Sequence, residues 1–321
     1  MRVAVVGCGR MGKERAKAAI SFGVSALLLF DEDAQRAESL ATECAEARCL
    51  RDPADLFEEK LDALFICIPP YCRGRLETHA IDAGVPFFVE KPIGVTAAQV
   101  QPILERLQSR DVINAVGYMN RYRNSVLHAQ KVLAGRNLIG IAAHWIGRKY
   151  GVPWWSVPEL SGGPFNEQAT HLIDLLRFLA GSVEVLHAAA ASSSGNETSV
   201  IATLRLKGSG LGSFLYSCEA KEKDILIALE TSDGVLELRG WDLELIRNTI
   251  NGSLPQSESK PIFEKETHAF LGAVKAGNPE LILADFRDAY QTQIAVDTAV
   301  RMIRHQQQRA VVGLKVGSLR E

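Results

Sequence analysis

Over about its first 120 residues the chain alternates short apolar runs with helix-patterned stretches, and few architectures accept that rhythm. The apolar runs are Val3–Val6, Ala26–Phe30, Ala63–Ile68, Pro86–Val89 and Ile113–Val116, with Ala47–Leu50 as a shorter one. Between them lie helical patterns at Lys13–Ser21, Ala34–Cys44, Arg73–Ala83 and Ala97–Gln108. Unbroken apolar runs suit strands buried on both faces, and strands alternating with helices predict a doubly wound parallel sheet.

The rhythm changes near Gly117–Tyr122. One helix, Arg123–Leu133, is followed by strand signals at Ile139–Ile146, Val183–Ala190, Val200–Leu206, Gly212–Cys218, Ile225–Thr231 and Val235–Arg239. Glycine-bearing turns, such as Ser232-Asp233-Gly234, separate some of them, and no long crossover helices intervene. That pattern predicts an open, mostly antiparallel sheet. A helix at Phe165–Leu179 is inserted in it, Asn248–Lys260 reads as an exposed polar loop, and helices at Phe263–Lys275 and Asp285–His305 close the chain. The fold class expected is therefore α/β plus α+β, with residues 1–120 as a nucleotide-type domain and 121–321 as a second domain.

Bulk properties remove several functions. A length of 321 residues argues for two domains. The net charge of -2, without a long basic run, argues against nucleic-acid binding. No apolar run reaches membrane-spanning length. The six cysteines contain no Cys-x-x-Cys pair and several lie in apolar runs, which fits reduced, buried thiols and a cytoplasmic location.

Gly7-Cys8-Gly9-Arg10-Met11-Gly12 follows a strand and opens a helix, the context in which G-x-G-x-x-G binds a dinucleotide. The first glycine permits the turn, the second lets a pyrophosphate approach, and the third lets helix and strand pack. Asp31 ends the next strand, 19 residues after Gly12, where a carboxylate accepts from ribose hydroxyls and repels a 2′-phosphate. NAD is favoured over NADP for that reason. Helix capping is the competing reading for Asp31 or Asp33. Ile68, Pro69 and Tyr71 close a strand on the same sheet edge and are expected to pass under the cofactor. At that edge Phe87–Val89 runs straight into Glu90, Lys91 and Pro92. Pro92 disfavours helical geometry at Lys91, leaving an ionisable amine where open α/β sheets bind ligands.

In the second domain, Glu167, His171 and Asp174 recur at i, i+4 and i+7 of an otherwise apolar helix. Three readings account for such a stripe: an acid/base group facing substrate, a buried histidine satisfied by Asp174, or a metal site. The first is favoured, and no metal is expected.

Together these pieces resemble the glucose–fructose oxidoreductase / inositol dehydrogenase / MocA family over nearly the whole chain. The resemblance rests on Gly7–Gly12, Asp31, Glu90-Lys91-Pro92, Gly117-Tyr118-Met119-Asn120-Arg121-Tyr122, the Ser161–Asp174 stretch and the closing helices Phe263–Arg304. It implies a Rossmann domain that binds NAD, with Glu90 and Lys91 beside the cofactor. It also implies an open antiparallel sheet of the kind that often builds a homodimer or homotetramer interface. Lys91 matches the family's catalytic lysine and His171 its catalytic histidine. Glu167 stands where most members carry an aspartate, so its extra methylene shifts the carboxylate. Asn120 and Arg121 match substrate-side positions, and Trp154 with Trp155 either stacks on a sugar ring or fills a loop core.

The implied chemistry is reversible oxidation of a secondary alcohol on a sugar, inositol or related polyol. An NAD-dependent glycosidase and a non-catalytic regulator of the same fold are the alternatives. A lysine acting as base near neutral pH needs a desolvated or cation-flanked site, and an adjacent carboxylate opposes that. Glu90 is therefore expected to point toward another partner.

Overall fold

The computed structural model describes residues 1–44, 47–191 and 197–317, with side chains described through residue 308. The chain groups into two units: Met1–Tyr122 with Glu258–Tyr290, and Arg123–Ser257 with Gln291–Glu321.

The first unit is laid out as β1 (Arg2–Val6), α1 (Arg10–Phe22), β2 (Ala26–Phe30), α2 (Ala34–Glu43), β3 (Ala47–Cys49), α3 (Asp55–Glu58), β4 (Ala63–Ile66), α4 (Arg75–Ala83), β5 (Phe87–Val89), α5 (Ala97–Ser109) and β6 (Asn114–Val116). The six strands form one parallel sheet in the order β3-β2-β1-β4-β5-β6. The order reverses between β1 and β4, and such a switch point opens a ligand crevice at the strands' carboxyl ends. Its apolar runs are buried on both sides, as the sequence predicts. Ala4, Leu64, Phe87 and Val89 pack with Ile103 and Phe286 on one side. Val3, Val5, Phe65 and Phe88 pack with Phe270 on the other.

Phe270 belongs to a later helix, Ile262–Ala276, and its ring stands edge-on to Phe65 and Phe88. Residues 258–290 thus group with the first unit, whereas the sequence reading assigns everything after residue 120 to the second. The reason is apolar: without Phe270 and Leu271, one side of the parallel sheet would lack part of its cover.

The second unit contains α6 (Asn124–Leu133), β7 (Leu138–Arg148), α7 (Pro158–Ser161), α8 (Thr170–Ala180), β8 (Val183–Ala190), β9 (Ser199–Leu206), β10 (Leu211–Ser217), β11 (Glu219–Thr231), β12 (Gly234–Arg239) and β13 (Glu244–Asn248). The helix Ile262–Ala276 is α9, and α10 (Phe286–Gly317) starts in the first unit and continues in the second. The seven-stranded sheet has the order β13-β12-β11-β7-β10-β9-β8, and only the β7–β10 pair is parallel. One sheet face carries Trp145, Phe214, Tyr216, Ile225 and Leu236 into a core shared with Val126, Leu172, Leu176, Val296 and Ile303. On the strands' alternate positions Ile201, Leu211 and Leu215 are 53%, 60% and 41% exposed. Strand β13 has no counterpart in the sequence reading, because an edge strand of Glu244, Arg247 and Asn248 shows little apolar signal.

The inserted helix is not uniform. Phe165–Ala169 is a π-helix, and the α-helical α8 begins only at Thr170. The wider i→i+5 turn winds the segment that carries Glu167 differently from the α-helical turn that carries His171 and Asp174.

Candidate active site

In the first unit the glycine loop divides its work among three residues. Gly7 has φ +89, and a β-carbon on it would lie 2.5 Å from the Cys67 carbonyl oxygen. On Gly12 a β-carbon would lie 1.9 Å from the Gly7 carbonyl oxygen, so α1 is packed directly on the loop. Gly9 differs: a β-carbon there meets nothing within 4 Å. Gly9 is also the N-cap of α1, without a side-chain cap bond and without an acidic residue in the first turn. Open space therefore faces uncapped N–H groups and the positive end of a helix dipole, which fits a pyrophosphate. Arg10 is exposed and Met11 half-buried beside it.

Asp31 and Asp33 have separate tasks. Asp33 caps α2, accepting from the Gln35 N–H at 3.2 Å. Asp31 accepts from the Cys8 N–H at 2.6 Å through Oδ2 and from the Asp33 N–H at 2.9 Å through Oδ1. Each carboxylate oxygen keeps a second lone pair, so the residue is oriented and still able to accept from ribose hydroxyls. Burial, reinforced by Asp31, pushes the Cys8 thiol up to about 12, so it stays protonated beside the loop.

In the sheet β4 lies next to β1, and β5 next to β4. Ile68 and Pro69 are half-buried, and Tyr71 is 42% exposed in the 3-10 turn Pro70–Cys72. Lys91 is half-buried and its peptide bond to Pro92 is cis. Glu90 is buried and turned toward Arg15: Arg15 Nε donates to Glu90 Oε1 at 2.8 Å, and Arg15 Nη2 stands 2.7 Å from the same oxygen. The partner expected for Glu90 is thus a buried arginine. Arg73 donates from Nη1 to the Ile66 carbonyl at 2.9 Å and from Nη2 to the Glu90 carbonyl at 2.6 Å, tying two strand ends together.

Asn120 and Arg121 lie buried in the 3-10 turn Met119–Tyr122. Arg121, a substrate-side position by resemblance, directs its guanidinium inward: Nη2 stands 2.5 Å from Asp288 Oδ2 and Nη1 donates to the Leu283 carbonyl at 2.5 Å. Those two contacts hold the guanidinium against Asp288 and Leu283.

In the second unit, His171 stacks on Trp145 with ring centroids 5.5 Å apart and planes 11° from parallel. The π-turn beside it is fixed on both flanks of Glu167. Asn166 Nδ2 donates to the Ser161 carbonyl at 2.7 Å and its Oδ1 accepts from Gln293 at 2.9 Å. Gln168 Nε2 donates to the Arg148 carbonyl at 3.0 Å, while Gln168 Oε1 accepts from the Tyr216 hydroxyl at 3.2 Å. Asp174 is buried and accepts from the Thr292 hydroxyl at 3.3 Å. Among the described residues no three His, Cys, Asp or Glu side chains converge as metal ligands would. Trp155 is buried core, and Trp154 is half-buried against it.

Residues 1–118 match the oxidoreductase family with an NAD-binding Rossmann fold, and residues 136–237 match the GFO/IDH/MocA C-terminal domain. The chain belongs to the GFO/IDH/MocA family. Over 188 residues it is 30% identical to the scyllo-inositol 2-dehydrogenase (NAD(+)) of Bacillus subtilis (strain 168), covering 57% of this chain and 54% of that protein. The chain spans about half the length of the first curated GFO/IDH/MocA relatives it matches. The UDP-N-acetylglucosamine 3-dehydrogenase of Acidithiobacillus ferrooxidans has the same fold, with a TM-score of 0.83 at 19% identity over 96% of this chain and 99% of that one. A myo-inositol dehydrogenase from Corynebacterium glutamicum ATCC 13032 gives 0.79 at 19% identity over 95% and 97%. No helix among the described residues is long and apolar enough to cross a membrane.

Arg15, Arg73 and Trp145 escaped the sequence reading. Arg15 left a usable trace: it sits on the stripe Gly12, Ala16, Ala19 that α1 buries, where a charge demands a partner. Arg73 and Trp145 left none, since their roles depend on long-range neighbours.

Proposed function

We propose that this GFO/IDH/MocA protein is an NAD-dependent dehydrogenase that oxidises a secondary alcohol of a sugar, inositol or related polyol, and reduces the ketone in reverse. The observation that carries the reading is at the end of β5. Glu90 is drawn onto Arg15, and Lys91 is the ionisable side chain that follows it at the carboxyl edge of the sheet, where the glycine loop also lies. NAD, when bound, supplies the hydride acceptor.

The protein's own groups do the rest. The amides at the start of α1 bind the pyrophosphate, and Asp31 accepts from the adenosine ribose. Lys91 takes the hydroxyl proton in oxidation and returns it in reduction. His171, held flat against Trp145, binds or protonates the reacting oxygen, and Glu167 orients His171 or a neighbouring hydroxyl. Asn120 is retained as a substrate-side group, and Trp154 as a face for a sugar ring. Inositols and sugars are the substrate class because relatives in the family are named as dehydrogenases of such compounds. The protein works as a homo-oligomer joined through the exposed face of its seven-stranded sheet, a reading supported by the exposed Ile201, Leu211 and Leu215.

The test is NADH formation from NAD across a panel of inositols, aldoses and sugar nucleotides, with the product identified. A ketone formed in step with NADH supports the reading. Hydrolysis without net NADH would point to a glycosidase, and no turnover across the panel would point to a binding protein.

A further inference from the structure

Arg15 is 0% exposed, yet its charge is met by two carboxylates rather than by one. Besides Glu90, its Nη2 donates to Glu266 Oε2 at 2.6 Å, and its Nη1 reaches the Thr267 hydroxyl at 3.1 Å and the Phe263 carbonyl at 3.3 Å. The guanidinium also lies over the Phe88 ring, 4.3 Å from its centroid. Burial works against its charge, but Glu90 and Glu266 outweigh that and hold it ionised. Cys67, Cys8, Tyr122, Arg73 and Arg121 are further titratable or charged groups in this neighbourhood.

A cluster of three buried charges is a poor device for stability, since apolar side chains of similar size commonly do as well. What it does supply is placement. Glu90 is held at its carboxylate by Arg15 and at its backbone carbonyl by Arg73, and the next residue is Lys91. The far side is closed as well: a β-carbon on Gly117 would lie 2.7 Å from Glu90 Oε2, so the backbone just after β6 runs against the carboxylate.

We propose that Arg15 is a positioning residue for Lys91. It holds the Glu90 carboxylate in a buried ion pair, so that the end of β5 offers the reacting alcohol an amine and not a carboxylate. This role rests on the reading of Lys91 as the proton-transfer group.

The test compares variants that free the Glu90 charge with variants that delete it, using calorimetric NAD binding and kcat on the polyol found by the panel. Arg15→Met with Glu266→Gln leaves Glu90 charged and without Arg15. NAD affinity should stay within about threefold while kcat falls at least ~10-fold, a split that packing loss alone does not give. Adding Glu90→Gln to that pair makes the cluster neutral and should recover most of the lost kcat. Full kcat in the first variant, or no recovery in the second, overturns the proposal. Should the first variant not fold, Arg15→Lys carries the same comparison: it keeps the charge but loses the fork, so kcat should fall and Arg15→Lys with Glu90→Gln should regain it. Full kcat in Arg15→Lys counts against the role. Lys91→Ala is measured alongside. If it keeps full turnover, the reading of Lys91 fails and Arg15's role fails with it; if only the Arg15 series behaves otherwise, the reading of Lys91 stands.

Discussion

At the end of β2, Asp31 is bonded to the Cys8 and Asp33 amides, so its carboxylate is oriented before any nucleotide arrives. Such an acid favours ribose hydroxyls and repels a 2′-phosphate. Asp31→Ala should therefore weaken NAD by at least ~10-fold and NADP by much less, as read by calorimetry. An unchanged preference would make Asp31 a structural tie only. Cys8, next to it, gives a pH prediction. Its thiol titrates in the fold at about 12 instead of the ordinary 9.0. Above the ordinary value the unfolded chain loses this proton and the folded chain keeps it, so stability falls as pH rises through that window. Cys8→Ala should flatten the alkaline end of a stability-against-pH curve measured by denaturant unfolding. The same shift predicts that Cys8 resists alkylation at neutral pH in the native protein and reacts once the protein is unfolded.

The glycine loop makes the sharpest prediction among the elements. Gly12→Ala drives a β-carbon into the Gly7 carbonyl, so the melting temperature should drop by at least ~5 °C. Gly9→Ala meets only open space, so it should leave the melting temperature within about 2 °C while weakening NAD at least ~10-fold. If both variants melt alike and bind alike, the division of labour in the loop is wrong. Elements of this kind were legible in the sequence because their signals are local. Alternating apolar runs marked β1 to β6, and three glycines between a strand and a helix marked the loop. What stayed hidden depends on contacts distant in sequence. Nothing local in Phe263–Lys275 says that Phe270 covers Phe65 and Phe88. Nothing in Phe165–Leu179 says that its first turn is wound as a π-helix, since that winding is held from outside by partners such as Ser161, Arg148, Tyr216 and Gln293. The same holds for Glu90, whose direction is set by Arg15, 75 residues earlier.

At the scale of the whole molecule, each unit brings a different surface. The seven-stranded sheet exposes Ile201, Leu211 and Leu215 along β9 and β10, where an isolated antiparallel sheet would carry polar residues. Leu215→Glu should lower the mass seen by light scattering from oligomer toward monomer; an unchanged mass would move the interface elsewhere. The parallel-sheet unit brings the nucleotide loop and Lys91, the residue proposed to serve alcohol oxidation by NAD. The direct measurement is a single turnover of the NAD-loaded protein with a polyol carrying deuterium on the reacting carbon. In the wild type the label should appear in NADH as one deuterium per turnover. In Lys91→Ala, with NAD still bound, its transfer should slow by at least ~10². Label appearing in water rather than in NADH would rule out direct hydride transfer to NAD, and transfer at full speed without Lys91 would remove Lys91 from the reaction.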